Sequence, residues 1–424
     1  MKRSALKKAL AATLCSVVVG GFATQDLAAA AEADEDSTEA SSTKKPGYYT
    51  ESFHILPEVQ LTGYYDDNIY ATDQQQVSDY VAILSPMLKI KSLWKRHSLK
   101  LDAGANLGRY DDNAGEDYND AWAEVDGTYD VGDKTSLFGG AGYSKKHEPR
   151  DSKESARLVT EPTTYNVTDL RLGLRQGLGD LTLRVAGTYQ ALDYDNVGLV
   201  YNDDRDRTVT GLGARVSKLI DKRLSVYVQG FLNKRDYDEA YDQLGYDRDS
   251  QGYTASVGFT KGFARNGRIN AYLGWLAQEY DDPRFHNVSE PNFAASLRWY
   301  PAESYKLTAS VDRTLSETTE EGSSGYLYTK LDLQLDKRMF NNIVGYLSYG
   351  YGLAEYQDIG REDVMHSFGL GVNYYMTQQV LISGGISHLS NDSNDQTLYG
   401  LEPGDTYDYE RNLVLLSIKV KFSP

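Results

Sequence analysis

Apolar and polar residues alternate along most of this chain with a period of two. Near the C-terminus, residues 416–422 place Leu, Ile, Val and Phe at every second position, with Ser and Lys between them. Successive side chains of a β-strand point to opposite faces, so this pattern predicts a strand with one apolar face. The same alternation recurs at residues 99–107, 181–189, 269–275, 293–299 and 331–335. The sequence therefore predicts an all-β protein.

Short turns alternate with long polar loops between the predicted strands. Gly132–Lys134 is typical of the turns, and Asp111–Asp120 and Asn391–Glu410 are typical of the loops. The turns recur roughly every 40 residues, which indicates a repeat of one turn, two strands and one loop. This repeat predicts about eighteen strands. Their expected starts are Pro57, Tyr80, Ser98, Asp120, Thr135, Thr164, Leu181, Arg207, Arg223, Gln251, Arg268, Pro291, Ser304, Gly325, Ile343, Asp363, Val380 and Tyr409.

Two details of this assignment concern individual strands. Pro86 lies inside the second predicted strand and is expected to mark a bulge, because proline cannot donate to the hydrogen-bond ladder. For residues 343–357 and 380–391, the sequence leaves open which of the two faces is the apolar one.

The first 31 residues have the order of a secretory signal peptide. Met1–Lys8 is basic, Ala9–Ala23 is apolar, and Ala28–Ala31 offers a small-residue cleavage site. A membrane anchor is the alternative, but this apolar run is short for a spanning helix. The single cysteine, Cys15, lies inside the segment. We therefore expect a mature chain with no disulfide and no thiolate metal site.

Residues 32–56 follow as a flexible acidic segment, and residues 57–424 form the folded domain. The start of the segment is rich in Asp, Glu, Ser and Thr and has few apolar side chains to bury. A plain periplasmic tether is its simplest role. Cleavage after Ala31 removes four basic residues and one acidic residue, which changes the net charge from −17 to −20.

The composition at first resembles that of an acidic soluble protein. Net charge is −17 and mean hydropathy is −0.53. The negative charge argues against a nucleic-acid partner, which would need a basic surface. The low hydropathy excludes spanning helices but not spanning strands, which need only about 9–11 residues and present alternate side chains to lipid. Lipid forbids open sheet edges, so the sheet must close.

These features predict a transmembrane antiparallel up-and-down β-barrel in the outer membrane of Gram-negative bacteria, with short periplasmic turns and long extracellular loops. The soluble alternatives are a β-propeller or a β-solenoid. Propeller blades repeat at a similar length, but a blade holds four short strands rather than two long ones. The 34 tyrosines fit the aromatic belts of such barrels. Those expected in the belts at strand ends are Tyr64, Tyr65, Tyr70, Tyr110, Tyr118, Tyr189, Tyr194, Tyr237, Tyr280, Tyr374 and Tyr409.

The chain resembles a known family, the beta-barrel porin type 2 proteins of Gram-negative outer membranes. The matching features are Leu56–Val59, Tyr65–Tyr70 at the end of the first strand, and hairpins such as Ala214–Phe231 and Asn292–Val311. The resemblance spans about residues 50 to 424. It implies a barrel, and it implies a link to exopolysaccharide export. Phe422 is followed by Ser423 and Pro424, whereas outer-membrane barrels usually end on an aromatic residue.

Alternation also predicts which charged residues line the lumen. The basic residues expected there are Lys89, Lys91, Lys100, Arg171, Arg175, Arg184, Arg215, Arg235, Arg298, Lys306, Lys330, Lys419 and Lys421. The acidic residues expected there are Asp102, Glu124, Asp126, Asp169, Asp312, Asp332 and Asp336. Rings of Arg and Lys favour anionic solutes. The alternative is that these residues pair with one another to fill the barrel wall.

The sequence offers little support for catalysis or for a bound metal. None of the six histidines lies in a nucleophile motif or at metal-pair spacing from another histidine. Residues 147–151 form a loop of mixed charge, which we interpret as an ordinary solvated loop rather than a catalytic one. Acidic loops such as 111–117, 203–206 and 238–249 lack the spacing of a calcium-binding loop. Solvated loops are the expectation, with weak cation bridging to lipopolysaccharide phosphates as an addition.

The leading functional hypothesis is a conduit for an exported acidic polysaccharide or other anionic solutes. The alternative is a structural or adhesive surface barrel with a plugged lumen and functional extracellular loops. We expect no catalytic residue, metal or cofactor. The expected partners are outer-membrane lipid and lipopolysaccharide, the barrel-assembly machinery and components of polysaccharide export.

Overall fold

The computed structural model describes residues 45–154, 159, 161–263, 266–395 and 407–424. Within these ranges the chain forms strands joined by turns and loops, with two short 3-10 helices at Ala114–Glu116 and Asp203–Arg205. The strands are β1 (Tyr48–Tyr49), β2 (Phe53–Asp66), β3 (Asp79–Ser92), β4 (Ser98–Tyr110), β5 (Tyr118–Asp130), β6 (Thr135–His147), β7 (Thr164–Leu178), β8 (Leu181–Tyr194), β9 (Arg207–Asp221), β10 (Leu224–Tyr237), β11 (Ser250–Phe263), β12 (Gly267–Tyr280), β13 (Val288–Trp299), β14 (Tyr305–Ser316), β15 (Tyr326–Phe340), β16 (Ile343–Tyr356), β17 (Glu362–Tyr375), β18 (Val380–Ser393) and β19 (Tyr409–Lys421).

Strands β2 to β19 close into a ring. Each strand pairs antiparallel with its neighbours in sequence, and β19 pairs with β2 from Leu413↔Asp66 to Lys421↔Glu58. The two-residue strand β1 pairs only with the start of β2 and adds nothing to the circumference. The predicted closed, up-and-down barrel of eighteen strands is confirmed.

Most strands begin within two residues of their predicted starts, and the largest difference is at the first one. Strand β2 begins at Phe53 rather than Pro57, so residues 53–56 are not part of a flexible segment. They pair with β3 from Phe53↔Ser92 to Leu56↔Lys89, because Ile55 and Leu56 extend the strand. The predicted signal peptide, and residues 32–44 of the acidic segment, lie outside the described residues.

Pro86 does not mark a bulge, contrary to expectation. The pairing of β3 with β4 includes Leu84↔Leu107 and Met87↔Gly104 in one unbroken register. The two pairs between them are absent, because Pro86 has no N–H to donate. On its other side Pro86 pairs in register with Val59. A proline in a wide sheet therefore leaves a gap in the ladder without inserting an extra residue.

The outer face of the barrel is apolar and exposed. Leu172, Leu273 and Leu416 are each more than 60% exposed, as expected for side chains that meet lipid. The register also settles the two strands that the sequence left open. In β16 and β18 the outer face carries Leu347 and Ile386, both 54% exposed.

The two ends of the barrel differ. The short turns lie at the same end as Phe53 and Lys421, where the barrel strands begin and finish. The long loops lie at the opposite end, between β2 and β3, β4 and β5, and so on to β18 and β19. We call these the turn end and the loop end. In barrels of this type the turn end is periplasmic and the loop end extracellular.

The tyrosines near the loop end lie mainly inside the barrel, which corrects the prediction that they form a lipid belt. Of those predicted, Tyr65, Tyr189 and Tyr374 face outward. Tyr70 lies in a loop. The side chains facing inward, here called the inner tyrosine ring, are Tyr64, Tyr110, Tyr118, Tyr165, Tyr194, Tyr237, Tyr280, Tyr326, Tyr328, Tyr356 and Tyr409.

The inner tyrosine ring is packed rather than solvated. Tyr165 and Tyr194 stack with ring centroids 4.9 Å apart, and Tyr326 and Tyr356 lie 5.1 Å apart. Composition could not reveal this arrangement, because tyrosine at a strand end suits either face and one residue of register decides between them.

Candidate functional site

The strand registers place all the basic residues predicted for the lumen on the inner face of the barrel. Two groups of them lie directly opposite one another. Arg175 pairs with Arg184, and Arg184 pairs with Arg215, across β7, β8 and β9. Lys91 and Lys100 pair across β3 and β4. Both groups lie in the half of the barrel nearer the turn end.

We call the three paired residues Arg175, Arg184 and Arg215 the arginine row. Such a row is unusual in a sheet. Like charges directly opposite one another destabilise strand pairing. The row is partly compensated, since Arg184 lies 4.4 Å over the ring of Phe138 and Arg215 donates to Gln229. Three arginines at paired positions on adjacent strands still make this wall positive.

Several inward carboxylates reduce the overall basic excess. Glu58 lies 3.2 Å from Lys89 and 3.6 Å from Lys421 and is almost fully buried. Further inward charges that alternation in the sequence did not predict lie on both sides of the balance. The acidic ones are Glu58, Asp66, Asp79, Asp120, Asp130, Glu290 and Asp363, and the basic ones are Lys146, Arg207, Arg268, Arg338 and Arg411. Where each charge lies therefore matters more than the total.

The loop between β6 and β7 reaches across the lumen. We call residues 148–163 the crossing loop, of which residues 155–158 and 160 are outside the described ranges. The Nζ of Lys153 lies 3.1 Å from Oδ2 of Asp363 on β17. Strands β7 and β17 lie nearly opposite one another in the ring of strands. This contact can form only if the loop folds inward.

Two buried ion pairs fix the near side of the crossing loop. Arg150 forms a two-pronged pair with Glu116 of the β4–β5 loop, at 2.6 and 2.8 Å. Glu148 accepts from Arg205 of the β8–β9 loop at 2.7 Å. All four side chains are at most 7% exposed. Two-pronged Arg–carboxylate pairs fix orientation as well as distance, so this part of the loop is rigidly held.

Arg411 on β19 anchors the middle of the crossing loop. Its Nε lies 2.8 Å from Oδ2 of Asp66, and its Nη1 lies 3.3 Å from Oδ2 of Asp151. Asp66 is fully buried. Burial raises the pKa of Asp151 above its usual range, and Arg411 opposes that shift. One guanidinium therefore compensates two buried carboxylates.

The far side of the crossing loop is bound to the β14–β15 loop. Glu154 accepts from Thr318 Oγ1 at 2.8 Å and from the backbone N–H of Thr319 at 2.9 Å. Arg248 in turn donates to the carbonyl of Thr318 at 2.6 Å. Arg361 lies 2.7 Å from Glu320. The loop end thus carries a connected network of charges.

Exposure of the inward charges changes along the barrel axis. Near the loop end, the side chains of Lys153, Arg361 and Asp363 are 7%, 2% and 1% exposed. Near the turn end, the side chains of Lys89 and Lys421 are 37% and 24% exposed. The lumen is therefore accessible to solvent from the turn end and narrowed at the loop end by the crossing loop.

A pocket lies beside the crossing loop, between strands β7 to β10 and the β14–β15 hairpin. Its cavity volume is about 90 Å³, and it is partly open to solvent. Its lining includes Tyr165, Tyr194 and Tyr237 of the inner tyrosine ring, together with Glu154 and Arg207. We call it the side pocket.

The crossing loop contradicts the prediction that residues 147–151 form a solvated loop. Glu148, Arg150 and Asp151 are buried and paired. Parts of the acidic loops are also less solvated than expected, since Asp204 is 8% exposed and Asp242 pairs with Arg248 at 2.7 Å. The alternation of acidic and basic residues within 148–154 was the available signal, because a loop that carries both charges can pair with two walls.

No metal centre is evident in the described part of the chain, where no group of three or more His, Cys, Asp or Glu side chains is placed to hold an ion. His147 instead lies 2.9 Å from Asp120 and stacks on Tyr118 at 3.7 Å. This histidine supports the wall of the loop end.

Asp206 lies at the end of the β8–β9 loop, and its raised pKa predicts that the barrel is more stable at acidic pH. Burial and the nearby Asp193 and Asp203 raise its pKa to about 6, while its contact with the N–H of Tyr194 opposes the rise. The folded state thus favours the protonated carboxyl, and this contribution to stability is lost as pH rises through about 6. We expect a higher urea midpoint at pH 5 than at pH 8 in refolding on vesicles. Asp206→Asn should reduce that difference, and an unchanged difference would contradict the assignment.

Fold and surface together define the class of the protein. No helix of the described residues is long and apolar enough to cross a membrane. A closed ring of eighteen strands with an apolar outer face and a charged inner face is an outer-membrane β-barrel of the porin type. The family model described as "Putative beta-barrel porin 2" matches residues 43–422. The chain belongs to this family, and it is a protein of the bacterial outer membrane.

Solved structures with similar folds are distant in sequence. The outer membrane protein OpdK from Pseudomonas aeruginosa is 13% identical, with a TM-score of 0.46, and the match covers 87% of this chain and 99% of OpdK. OccK9 (OpdG) from Pseudomonas aeruginosa is 12% identical, with a TM-score of 0.47 and coverages of 89% and 100%. The siderophore receptor PirA from Acinetobacter baumannii is 8% identical, with a TM-score of 0.47 and coverages of 90% and 81%. None of the curated proteins matches the sequence of this chain.

Proposed function

We propose that this porin-like barrel is an anion-preferring conduit whose cargo is an acidic polysaccharide. The arginine row is the observation that carries the proposal. It places three like charges on adjacent strands, in the half of the lumen that solvent reaches. Such an arrangement favours anions in the lumen, because clustered basic side chains attract anionic solutes.

The inner tyrosine ring supports a saccharide as the cargo. Tyrosine offers a flat apolar face and a hydroxyl group, which suit the C–H face and the hydroxyls of a sugar. Tyr194 and Tyr237 face the lumen at the loop end, above the arginine row. A polymer moving from the turn end would meet the positive wall first and the tyrosines second. Movement from the turn end to the loop end is the direction of export, which agrees with the link of this family to exopolysaccharide export.

Replacement of the arginine row tests the anion preference. In planar bilayers under a salt gradient, the reversal potential of the unmodified protein should indicate preference for chloride over potassium. The triple variant Arg175→Gln, Arg184→Gln, Arg215→Gln should lower the anion-to-cation permeability ratio by about threefold or more, because the fixed charge that concentrates anions is removed.

A matched control uses three outward or loop cations. Lys145, Lys234 and Arg284 are exposed ion-pair members outside the lumen. Their replacement by Gln should leave the reversal potential unchanged. Cation preference in the unmodified protein, or an equal effect of both triple variants, would refute the proposal.

A second candidate function is a plugged structural or adhesive barrel, and the crossing loop is the observation that favours it. The loop is bound on both sides of the lumen by buried ion pairs, as a permanent plug would be. The two functions differ in conductance, since a plugged barrel should pass no steady current in bilayers. Stable single-channel steps would exclude it.

A further inference from the structure

We propose that the side pocket is a binding site for one acidic sugar unit, with Arg207 receiving its carboxylate. The biological role of this site rests on the proposed conduit function, but binding can be measured without it. The site lies at the loop end of the lumen beside the crossing loop, where a passing chain would contact the wall.

Arg207 is the most informative side chain of the pocket. It is the first residue of β9, faces inward and is only 5% exposed. Its Nη1 donates to the carbonyl of Arg205 at 2.6 Å, while its Nε has no hydrogen-bond partner. Among the described residues, Arg207 forms no ion pair with a carboxylate. A buried guanidinium without an anion is costly, so the pocket is built to receive one.

The carboxylates near Arg207 are already bound to other groups. Glu148 is paired with Arg205 at 2.7 Å. Glu317 pairs with Arg235 and accepts from the hydroxyl of Tyr237 at 2.8 Å. Glu154 is held by the threonines of the β14–β15 loop. Each of these acids therefore has a partner other than Arg207.

The rest of the lining fits a hydroxylated ring. The Cζ of Arg207 lies 5.9 Å from the ring centroid of Tyr194 and 5.5 Å from that of Tyr237, so both rings border the guanidinium. Tyr165 stacks on the Tyr194 ring. Glu154 and Glu317 keep oxygen lone pairs that can accept from sugar hydroxyls. A benzoate-like acid would use the rings but donate nothing to the remaining lone pairs of these carboxylates, and a neutral sugar would leave Arg207 without an anion.

Equilibrium binding to the full detergent-solubilised barrel tests the proposal with three probes. These are glucuronate, glucose and benzoate, measured by isothermal titration calorimetry. We expect glucuronate to bind at least tenfold more tightly than either of the other two. Equal binding of glucose would refute the role of the carboxylate, equal binding of benzoate would refute the sugar-ring part, and no binding of any probe would overturn the site.

Variants connect the binding to Arg207. Arg207→Gln should weaken glucuronate binding at least tenfold, and Arg207→Lys should recover only part of it, because a lysine cannot form the two-pronged contact. Arg268→Gln, at an inward arginine of β12 outside both the pocket and the arginine row, serves as the matched control and should leave the affinity unchanged. Migration on unheated gels reports whether each variant is folded. Equal loss in the folded Arg207 and Arg268 variants would overturn the assignment.

The two proposals can fail separately. If the arginine row does not affect ion selectivity while Arg207 governs glucuronate binding, the conduit function fails and the site remains. If selectivity follows the arginine row but glucuronate does not bind, the site fails and the conduit remains.

Discussion

Removing the crossing loop is expected to convert a narrow channel into a wide one. Deletion of residues 149–162, with Gly-Ser joining Glu148 to Thr163, should raise single-channel conductance by about threefold or more, since a barrel of this strand number can hold an open aqueous channel. The join is feasible, because the N–H of Glu148 already donates to the carbonyl of Thr163 at 2.7 Å.

The control for this deletion is a loop whose tip does not enter the lumen. Residues 197 and 200 bridge the tip of the β8–β9 loop, and Leu199 between them is fully exposed. Replacement of Gly198 and Leu199 by Asn-Gly should leave conductance unchanged. If the deletion variant conducts no better than the unmodified protein, then the crossing loop is not the constriction.

Loss of Arg411 should strongly destabilise the folded barrel. Arg411→Leu leaves Asp66 and Asp151 as buried carboxylates without their shared cation. Breaking a buried pair in this way typically costs about 3–5 kcal/mol in the free energy of unfolding. The measurement is urea unfolding of the folded barrel in lipid vesicles.

Two comparisons make that prediction specific. Arg109→Leu removes an exposed arginine that lies 3.7 Å from Asp117, and should cost less than about 1 kcal/mol. Adding Asp66→Asn and Asp151→Asn to Arg411→Leu should recover most of the loss, because the uncompensated charges are then gone. An equal loss in the Arg109 and Arg411 variants would show that burial of the network is not the cause.

Much of the wall of the barrel could be predicted from sequence, because a period of two fixes both strand and face. Leu181 and Ile343 were both placed correctly as strand starts. The lumen charges also follow from alternation once one face is known to be apolar. Alternation is a local property of the sequence that a few consecutive residues reveal.

The constriction could not be predicted in the same way, since it depends on contacts between distant parts of the chain. Lys153 and Asp363 are 210 residues apart, and Arg411 and Asp151 are 260 apart. The sequence of the crossing loop alone does not indicate which strands the loop contacts. The inward turn of the tyrosines was missed for a related reason, because their residue type is compatible with lipid and lumen alike.

The position of the anchors along the chain has a consequence for assembly. The crossing loop follows β6, yet two of its anchoring residues, Asp363 and Arg411, belong to β17 and β19, among the last three strands. The loop cannot be fully fastened until the final hairpin has been added and β19 has met β2. Until then Asp151 and Lys153 lack these counterions and favour water. The crossing loop therefore narrows the pore only in a barrel that has finished closing. The constriction depends on completed insertion.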